Sequence, residues 1–522
     1  MNNITAKTAA LEQSNRQRLF GTDGIRGIAG KYPLDDDTLH VIVDTFAKIL
    51  REESPDAPRY KNKNYLACKR LSVVIGRDTR YTGEHIEELL VKRFFDNGVW
   101  VHLAGVLPTP AIALATRDFR ADAGIMISAS HNPPEYNGIK FFGGDGFKLS
   151  DRLEKLIEEY ILESKQSTDL VGEHIRNSFV FPRYRTLDIH LPAYRAHIEN
   201  ILLSLNPGSR HIFQSSKSFE HFSEYRLFSN YNFAYHTPSS PGAGALSGLT
   251  IAFDAANGAA YHAGKTILEG LGATVFADGV KPNGCNINAA RGSTYPESLV
   301  ALVRRTGADV GFALDGDADR VVMCDEKGQL IDGDRILAIA AIELKRQGRL
   351  NHDTVVSTVM TNAGFDVAMR KHGIKTVKSA VGDKYVIECM RSGDYVLGGE
   401  QSGHIIFGEH ATTGDGLLAA LQILSLMKRE MVPFSKLADV MEVYPQVLIN
   451  IPVSSKPDIY SIDGIQALVE RAEHDLGTSG RVLLRYSGTE SKARVMVEAP
   501  TEDLARKYAQ DIADVVRKSI GT

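Results

Sequence analysis

Apolar runs and helical periodicities alternate along most of the chain, with polar, turn-rich joints between them. Leu71 to Gly76 (LSVVIG) is a short continuous apolar run, the pattern of a buried strand. The polar stretch GRDTRYTG follows, and then Ile86, Leu89, Leu90, Phe94 and Phe95 recur at helical spacing. Val99 to Leu103 and Ala123 to Ile127 predict two more strands. LTIAFDAANG from Leu249 and TVVSTVMTNAG from Thr354 each open another strand, polar loop and helix. Three such units predict an α/β protein of three related domains with mixed, partly parallel sheets.

The end of the chain reads differently. Gln446 to Val453, Arg481 to Arg485 and Arg494 to Glu498 have strand character, and Ile462 to Leu476 and Glu502 to Ile520 have helical periodicity. That combination predicts a smaller C-terminal α+β domain. The expected partition is 15–185, 186–298, 299–440 and 441–522, with an insertion at about 204–247 inside the second unit. In that insertion the alternation lapses, while Phe213, Phe219, Phe222, Tyr225, Phe228, Tyr231, Phe233 and Tyr235 accumulate before TPSSPGAGALSG. Disordered linkers are poor in aromatics, so the insertion is expected to pack. Its GAG lacks a preceding strand and the GxGxxG spacing of a dinucleotide loop.

Composition narrows the class. The 522 residues are 43% hydrophobic and 24% charged, ordinary for a globular chain. A net charge of −4 gives no reason to expect nucleic acid. Cys68, Cys285, Cys324 and Cys389 lack CxxC spacing, which argues against a zinc site or disulfide framework. The N-terminal stretch has no apolar signal region, and no run of about 18 apolar residues occurs, so a cytoplasmic protein without a membrane span is expected.

Candidate chemistry sits in five stretches. In GIMISASHNPPEYNGIKFF, from Gly124 to Phe142, an apolar strand runs into Ser130, His131, Asn132, Pro133 and Pro134. The turn residues place Ser130 at an exposed strand end, a possible nucleophile or a helix-capping serine. Neighbouring side chains diverge and GxSxG is absent, so Ser130 and His131 do not suggest a hydrolase triad. Lys140 is a charge within an apolar run, either an acid/base beside Ser130 or a strand-edge lysine. In LDGDADRVVMCDE, Asp315, Asp317 and Asp319 are spaced by two and would share one side of an extended segment, where a hard cation such as Mg²⁺ or Ca²⁺ would relieve their repulsion. An EF-hand is disfavoured because Arg320 stands where its turn needs glycine. A solvated acidic turn is the plain alternative.

RYSGTESKAR puts Ser487, Gly488 and Thr489 between Arg485 and Arg494, a composition suited to a phosphate dianion. In GGEQSGHIIF, Glu400, Ser402 and His404 alternate and would offer hydrogen bonds from one face, or form an ordinary strand-end turn. FGTDGIRG holds Arg26 in a glycine-rich turn.

In this order, FGTDGIRG, ASHNP, DGDADR, GEQSGH and RYSGTE resemble the α-D-phosphohexomutase superfamily, from about residue 18 to the end apart from the insertion. FGTDGIRG, VGDKYV and GEQSGH resemble its phosphoglucosamine mutase branch; phosphomannomutase/phosphoglucomutase proteins, the alternative, tend to carry GEMSGH. The resemblance implies three α/β domains and a C-terminal domain around a central cleft. It implies a phosphorylated Ser130 and one Mg²⁺ held by Asp315, Asp317, Asp319 and a phosphoserine oxygen. Arg26, His131, Lys140 and Arg320 would line the transfer site. Glu400, Ser402 and His404 would hold sugar hydroxyls, and Arg485, Ser487, Gly488, Thr489 and Arg494 the non-transferred phosphate. The implied reaction converts glucosamine 6-phosphate to glucosamine 1-phosphate through a hexosamine 1,6-bisphosphate, for UDP-N-acetylglucosamine and cell-wall precursors. The implied partner is the small hexosamine phosphate alone, with monomer and homodimer both open. Three positions depart from the family pattern: Ala318 for glycine, Lys384 for arginine and Ser491 for proline. Ala318 matters if that position has positive φ, where a Cβ is disfavoured.

Overall fold

The computed structural model describes residues 19–21, 23–53, 71–166, 184–186, 190–205, 244–477, 479–487 and 491–522. The aromatic cluster from Phe213 to Tyr235 lies outside the described residues, as do Gly488 and Thr489.

The chain forms four sheets in succession. The first contains β1 (Phe20–Gly21), β2 (Gly24–Ile28), β3 (Ser72–Arg77), β4 (Trp100–Val106), β5 (Ala123–Ile127), β6 (Tyr136–Gly143) and β7 (Tyr184–Thr186), in the order β1-β2-β6-β5-β3-β4-β7. The second contains β8 (Thr250–Asp254), β9 (Thr274–Asp278), β10 (Val310–Leu314), β11 (Val321–Asp325) and β12 (Leu330–Ile331), in the order β12-β11-β10-β8-β9. The third contains β13 (Thr354–Thr358), β14 (Lys375–Ser379), β15 (Leu397–Gly399) and β16 (Ile405–Phe407), in the order β14-β13-β15-β16. The fourth contains β17 (Gln446–Pro452), β18 (Arg481–Tyr486) and β19 (Lys492–Glu498), in the order β17-β19-β18.

The first three sheets share one plan, as the alternating pattern predicts. A parallel centre (β3 with β4 and β5, β8 with β9 and β10, β13 with β14 and β15) is extended by one antiparallel neighbour. That neighbour is β6 on β5, β11 on β10 and β16 on β15. The connection into each antiparallel strand is a short loop, and those three loops hold Ser130, the aspartate triplet, and Glu400 to His404. The repeat thus delivers three different chemistries from equivalent places.

Central strands such as β5 (AGIMI) and β10 (VGFAL) are buried at every position, which is why they read as continuous apolar runs rather than alternating ones. The helix Gly83–Asp96 buries Ile86, Leu89, Leu90 and Phe94, the stripe its periodicity predicts. One apolar core includes Val74, Phe253, Phe312, Leu337 and Leu421, so the first three lobes are fused through it. The fourth lobe is antiparallel and has its own core, built around Val495, Ile512 and Val516. Among the described residues no helix is long and apolar enough to cross a membrane.

Candidate active site

The strand β5 ends at Ile127 and is followed by Ser128, Ala129 and Ser130. Ser130 is fully buried, not exposed as its place at a strand end suggested, because the loop after β10 closes over it. The approach is so close that a Cβ on Gly316 would sit 2.4 Å from the Ser130 carbonyl, which only glycine permits. Ser130 has φ 53°, a left-handed conformation that costs a residue with a Cβ. Its amide donates to Ser128 Oγ at 2.9 Å, and Ser128 Oγ donates to Asp78 Oδ2 at 2.7 Å.

The Ser130 hydroxyl donates to Asp315 Oδ2 at 2.6 Å. His131 Nδ1 lies 3.2 Å from Ser130 Oγ, so the neighbouring side chains meet instead of diverging; the left-handed Ser130 turns them together. The group beyond His131 is a cation, since Arg320 Nη1 stands 3.3 Å from the same nitrogen. Burial, Arg320 and Arg26 depress the His131 pKa to about 4, so the ring is neutral near pH 7. A neutral histidine beside an arginine is no serine-hydrolase triad.

The three aspartates converge, but through a turn rather than an extended segment. Ala318 has φ 60° and its amide donates to the Asp315 carbonyl at 3.1 Å, closing the turn. One ligand oxygen from each of Asp315, Asp317 and Asp319 lies within 4.8 Å of the others, and all three residues are buried. Asp317 Oδ1 and Asp319 Oδ1 are buried without a hydrogen-bond donor among the described residues. Burial and the charges of Asp319 and Asp317 push the Asp315 carboxyl well above the usual carboxylate range. Three convergent carboxylates, two of them with an oxygen that lacks a donor, fit a hard divalent cation such as Mg²⁺.

Lys140 lies inside β6, hydrogen-bonded between β2 and β5, and is buried rather than on a strand edge. Its Nζ lies 2.7 Å from Asp317 Oδ2, 3.0 Å from Asp319 Oδ2 and 2.8 Å from Asp23 Oδ2. Burial would lower its pKa, but these three carboxylates outweigh it and hold Lys140 protonated. Asp23 also binds Arg26 and Lys148, and Lys148 reaches on to Asp383 in the third lobe. Asp23 is pushed up by burial yet held well below the usual range by Lys140, Lys148 and Arg26.

His404 closes this chain of charges, with Nδ1 3.8 Å from Asp319 Oδ2 and Nε2 3.5 Å from Asp383 Oδ2. Burial lowers its pKa, whereas Asp383 and Asp319 raise it and prevail. Yet the Gly414 amide donates to Nε2 at 2.9 Å, which requires a lone pair there. That hydrogen bond favours the neutral tautomer protonated on Nδ1, facing Asp319. Asp23, Lys148 and Asp383 were not recognised from the sequence; Asp23 and Asp383 lie within motifs whose other members drew attention, FGTDGIRG and VGDKYV.

Glu400 to His404 form a tight turn between β15 and β16, not an alternating strand. Glu400 Oε1 accepts from the Gly382 amide at 2.8 Å, and Oε2 faces Ser402 Oγ at 3.5 Å. Glu400, Ser402 and His404 line a cavity of about 320 Å³ together with Asp23, Asp319 and Arg320. This cavity is therefore lined from the first three lobes, and Lys140 reaches its wall through Asp23 and Asp319. Among the described residues lining it, none comes from the fourth lobe. There Arg485 and Arg494 are paired across β18 and β19, and Arg494 Nη2 lies 3.4 Å from Ser487 Oγ. Lys456, unremarked in the sequence, donates to the Ser487 carbonyl at 2.9 Å and adds a cation to that loop.

Models of the phosphoglucomutase/phosphomannomutase alpha/beta/alpha domains I, II and III match residues 17–168, 233–328 and 332–444, and that of the C-terminal domain matches 448–515. The chain is 44% identical over 507 residues to a phosphoglucosamine mutase of Syntrophotalea carbinolica, covering 97% of this chain and 98% of that one. It is 43% identical over 505 residues to a phosphoglucosamine mutase of Geobacter sp. (strain M21), covering 97% and 99%. Among solved structures, a phosphoglucomutase/phosphomannomutase family protein from Burkholderia thailandensis superposes with TM-score 0.69 at 21% identity, over 97% of this chain and 99% of that one. An Aspergillus fumigatus N-acetylphosphoglucosamine mutase, solved with GlcNAc-6P and magnesium, superposes with TM-score 0.55 at 17% identity over 99% of each. At these identities the two structures speak for the fold.

Proposed function

Because the chain belongs to the phosphoglucosamine mutases of the α-D-phosphohexomutase superfamily, we propose that it interconverts glucosamine 6-phosphate and glucosamine 1-phosphate through a phosphorylated Ser130. It is an enzyme, a mutase. The observation that carries the Ser130 assignment is its hydroxyl 2.6 Å from Asp315 Oδ2, in the loop whose Asp319 and Arg320 line a cavity together with Glu400, Ser402 and His404.

In the forward half-reaction the phosphorus–Oγ bond of Ser130 breaks as one to a sugar hydroxyl oxygen forms; that hydroxyl gives up its proton and Ser130 Oγ takes one up, so the half-reaction is proton-neutral. The product is a hexosamine bisphosphate. After this intermediate turns in the cleft, its other phosphate returns to Ser130. A Mg²⁺ held by Asp315, Asp317 and Asp319 would supply charge neutralisation at the transferring phosphoryl group. Arg26 and Arg320 add fixed positive charge along the cleft, and preorganised charge is the main catalytic resource in phosphoryl transfer.

Lys140 is held protonated by its carboxylate neighbours, so its role is that of an acid supporting the departing serine oxygen. On the return half, the Ser130 hydroxyl has two acceptors within reach, Asp315 Oδ2 at 2.6 Å and His131 Nδ1 at 3.2 Å. Glu400, Ser402 and His404 are assigned to the sugar hydroxyls or the C2 ammonium. Arg485, Ser487, Gly488, Thr489 and Arg494 are assigned to the phosphate that is not being transferred, in a loop to which Lys456 adds charge.

The test is a coupled assay with Mg²⁺ on glucosamine, glucose and mannose 6-phosphates. The expected kcat/KM for the amino sugar exceeds that for glucose 6-phosphate by about tenfold or more, roughly 1.4 kcal/mol. Equal or better turnover of glucose or mannose 6-phosphate would assign the phosphomannomutase/phosphoglucomutase specificity instead.

A further inference from the structure

The polar stretch GRDTRYTG, which closes β3 and runs on beyond it, has no part in the mechanism above, yet each of its side chains from Asp78 to Arg80 is committed. Arg80 is 1% exposed. Its Nε donates to Asp78 Oδ2 at 2.9 Å. Its Nη2 donates to the carbonyls of Ser130 at 2.9 Å and Asn132 at 2.8 Å. Its Nη1 donates to the carbonyls of Tyr136, at 2.9 Å, and Pro133. A guanidinium has five N–H donors, and these five acceptors use all of them. Arg80 therefore has no donor left for a phosphate, unlike an arginine that faces the cleft.

The second lobe holds the same two carbonyls. Asn288 Nδ2 donates to Ser130 O at 2.8 Å and to Asn132 O at 3.0 Å. The two lobes are tied beside this point, since Thr79 Oγ1 donates to the Asn257 carbonyl and the Tyr81 amide to the Gly284 carbonyl at 3.0 Å. Each carbonyl thus accepts one hydrogen bond from either lobe. Between them lies Ser130 in its left-handed conformation, φ 53°. A strained backbone persists only where its surroundings over-determine it.

We infer that Arg80 and Asn288 are positioning residues for the phosphoryl carrier, gripping the Ser130 and Asn132 carbonyls from two lobes so that Ser130 Oγ stays aligned with Asp315 and the cleft. This inference rests on Ser130 being the carrier. Arg80 acts through the loop and touches neither substrate nor phosphate. Lysine cannot replace it, because one ammonium has three donors and no planar fork to span four carbonyls. Displacing a reacting atom by about 1 Å costs on the order of 100-fold in rate, so loosening this grip acts on kcat.

The experiment uses full-length enzyme, parent and variants, primed with hexosamine 1,6-bisphosphate and supplied with Mg²⁺. Intact mass first establishes a removable phosphate on the parent that Ser130→Ala lacks; its absence would overturn the carrier assignment itself, before the clamp is at issue. kcat and KM for glucosamine 6-phosphate are then measured per phosphorylated site, beside the thermal midpoint. Asn288→Ala is expected to lower kcat by about tenfold and Arg80→Lys by about 100-fold, with KM within about threefold of the parent. The double variant is expected to lose little more than Arg80→Lys, because both side chains hold the same carbonyls. A merely structural role predicts a lower midpoint with kcat per phosphorylated site unchanged. Both single variants within twofold of the parent kcat, or a raised KM at unchanged kcat, would overturn the inference. If Arg80→Lys does not fold, Asn288→Ala decides alone by the same criterion.

Discussion

Ser130 Oγ donates to Asp315 Oδ2 at 2.6 Å across 185 positions of sequence. The bond joins the β5–β6 loop of the first lobe to the β10–β11 loop of the second, so the proposed carrier hydroxyl and the proposed cation ligands form one unit only after two lobes pack. It also makes the serine the natural place to test the mechanism.

Ser130→Ala should abolish sustained turnover, lowering kcat by at least about a thousandfold, because it removes the oxygen proposed to carry the phosphoryl between half-reactions. Intact-mass measurement before and after phosphatase treatment should show one removable phosphate on the parent and none on the variant. Normal turnover by the alanine variant would remove Ser130 from the mechanism.

Activity should require a divalent cation, with Mg²⁺ preferred. Among the described residues Asp317 Oδ1 is buried without a donor, and Asp317 Oδ2 is engaged by Lys140 at 2.7 Å. Asp317→Asn removes one ligand charge at nearly constant shape, and should raise the Mg²⁺ concentration for half-maximal rate by about tenfold or more. A Mg²⁺ titration after chelator treatment checks it; full activity in excess chelator would contradict it.

Ala318 occupies a left-handed position, φ 60°, inside the aspartate loop, a conformation that favours glycine. The Cβ there costs about 1–2 kcal/mol of backbone strain, against the methyl's burial of about 0.8 kcal/mol. Ala318→Gly should therefore be stabilising or neutral, by up to about 1 kcal/mol, with kcat within about threefold of the parent. Denaturant midpoints and a standard assay measure both. A loss of more than about 1 kcal/mol would show that the methyl's packing outweighs the strain.

Asp415 caps the helix Gly416–Glu430 by accepting from the Leu418 amide, and also accepts from Tyr194 Oη at 2.9 Å. Burial pushes its pKa up to about 6 from 3.8. An acid with a raised folded pKa binds its proton more tightly in the folded state, so its cost to stability is absent below the unfolded value and grows as pH rises to about 6. Asp415→Asn keeps an acceptor for both donors and removes that cost. Its stability relative to the parent should increase by about 1–3 kcal/mol between pH 4 and pH 7. Thermal midpoints of the pair across that range test it; a constant difference would refute the linkage.

The sequence by itself determined what local rules can encode. The strands β5 and β10 are continuous apolar runs because both their faces are buried, and the helices carry apolar stripes at 3.6-residue spacing. Turn residues and side-chain chemistry marked the loops that hold Ser130, Asp315, Asp317, Asp319, Glu400, Ser402 and His404. Tertiary structure decided the state of those groups. Ser130 is buried by a glycine of another lobe, His131 is made neutral by burial and then by Arg320, and Lys140 is kept charged by Asp23, Asp317 and Asp319. Asp23, Lys148 and Asp383 joined the site unannounced, and Arg80 took hold of the serine loop 50 positions away. No spacing rule reaches such partners. Periodicity reports which way a side chain faces within its own element, whereas burial and Coulomb interaction act through space, between groups that meet only when the lobes close on one another.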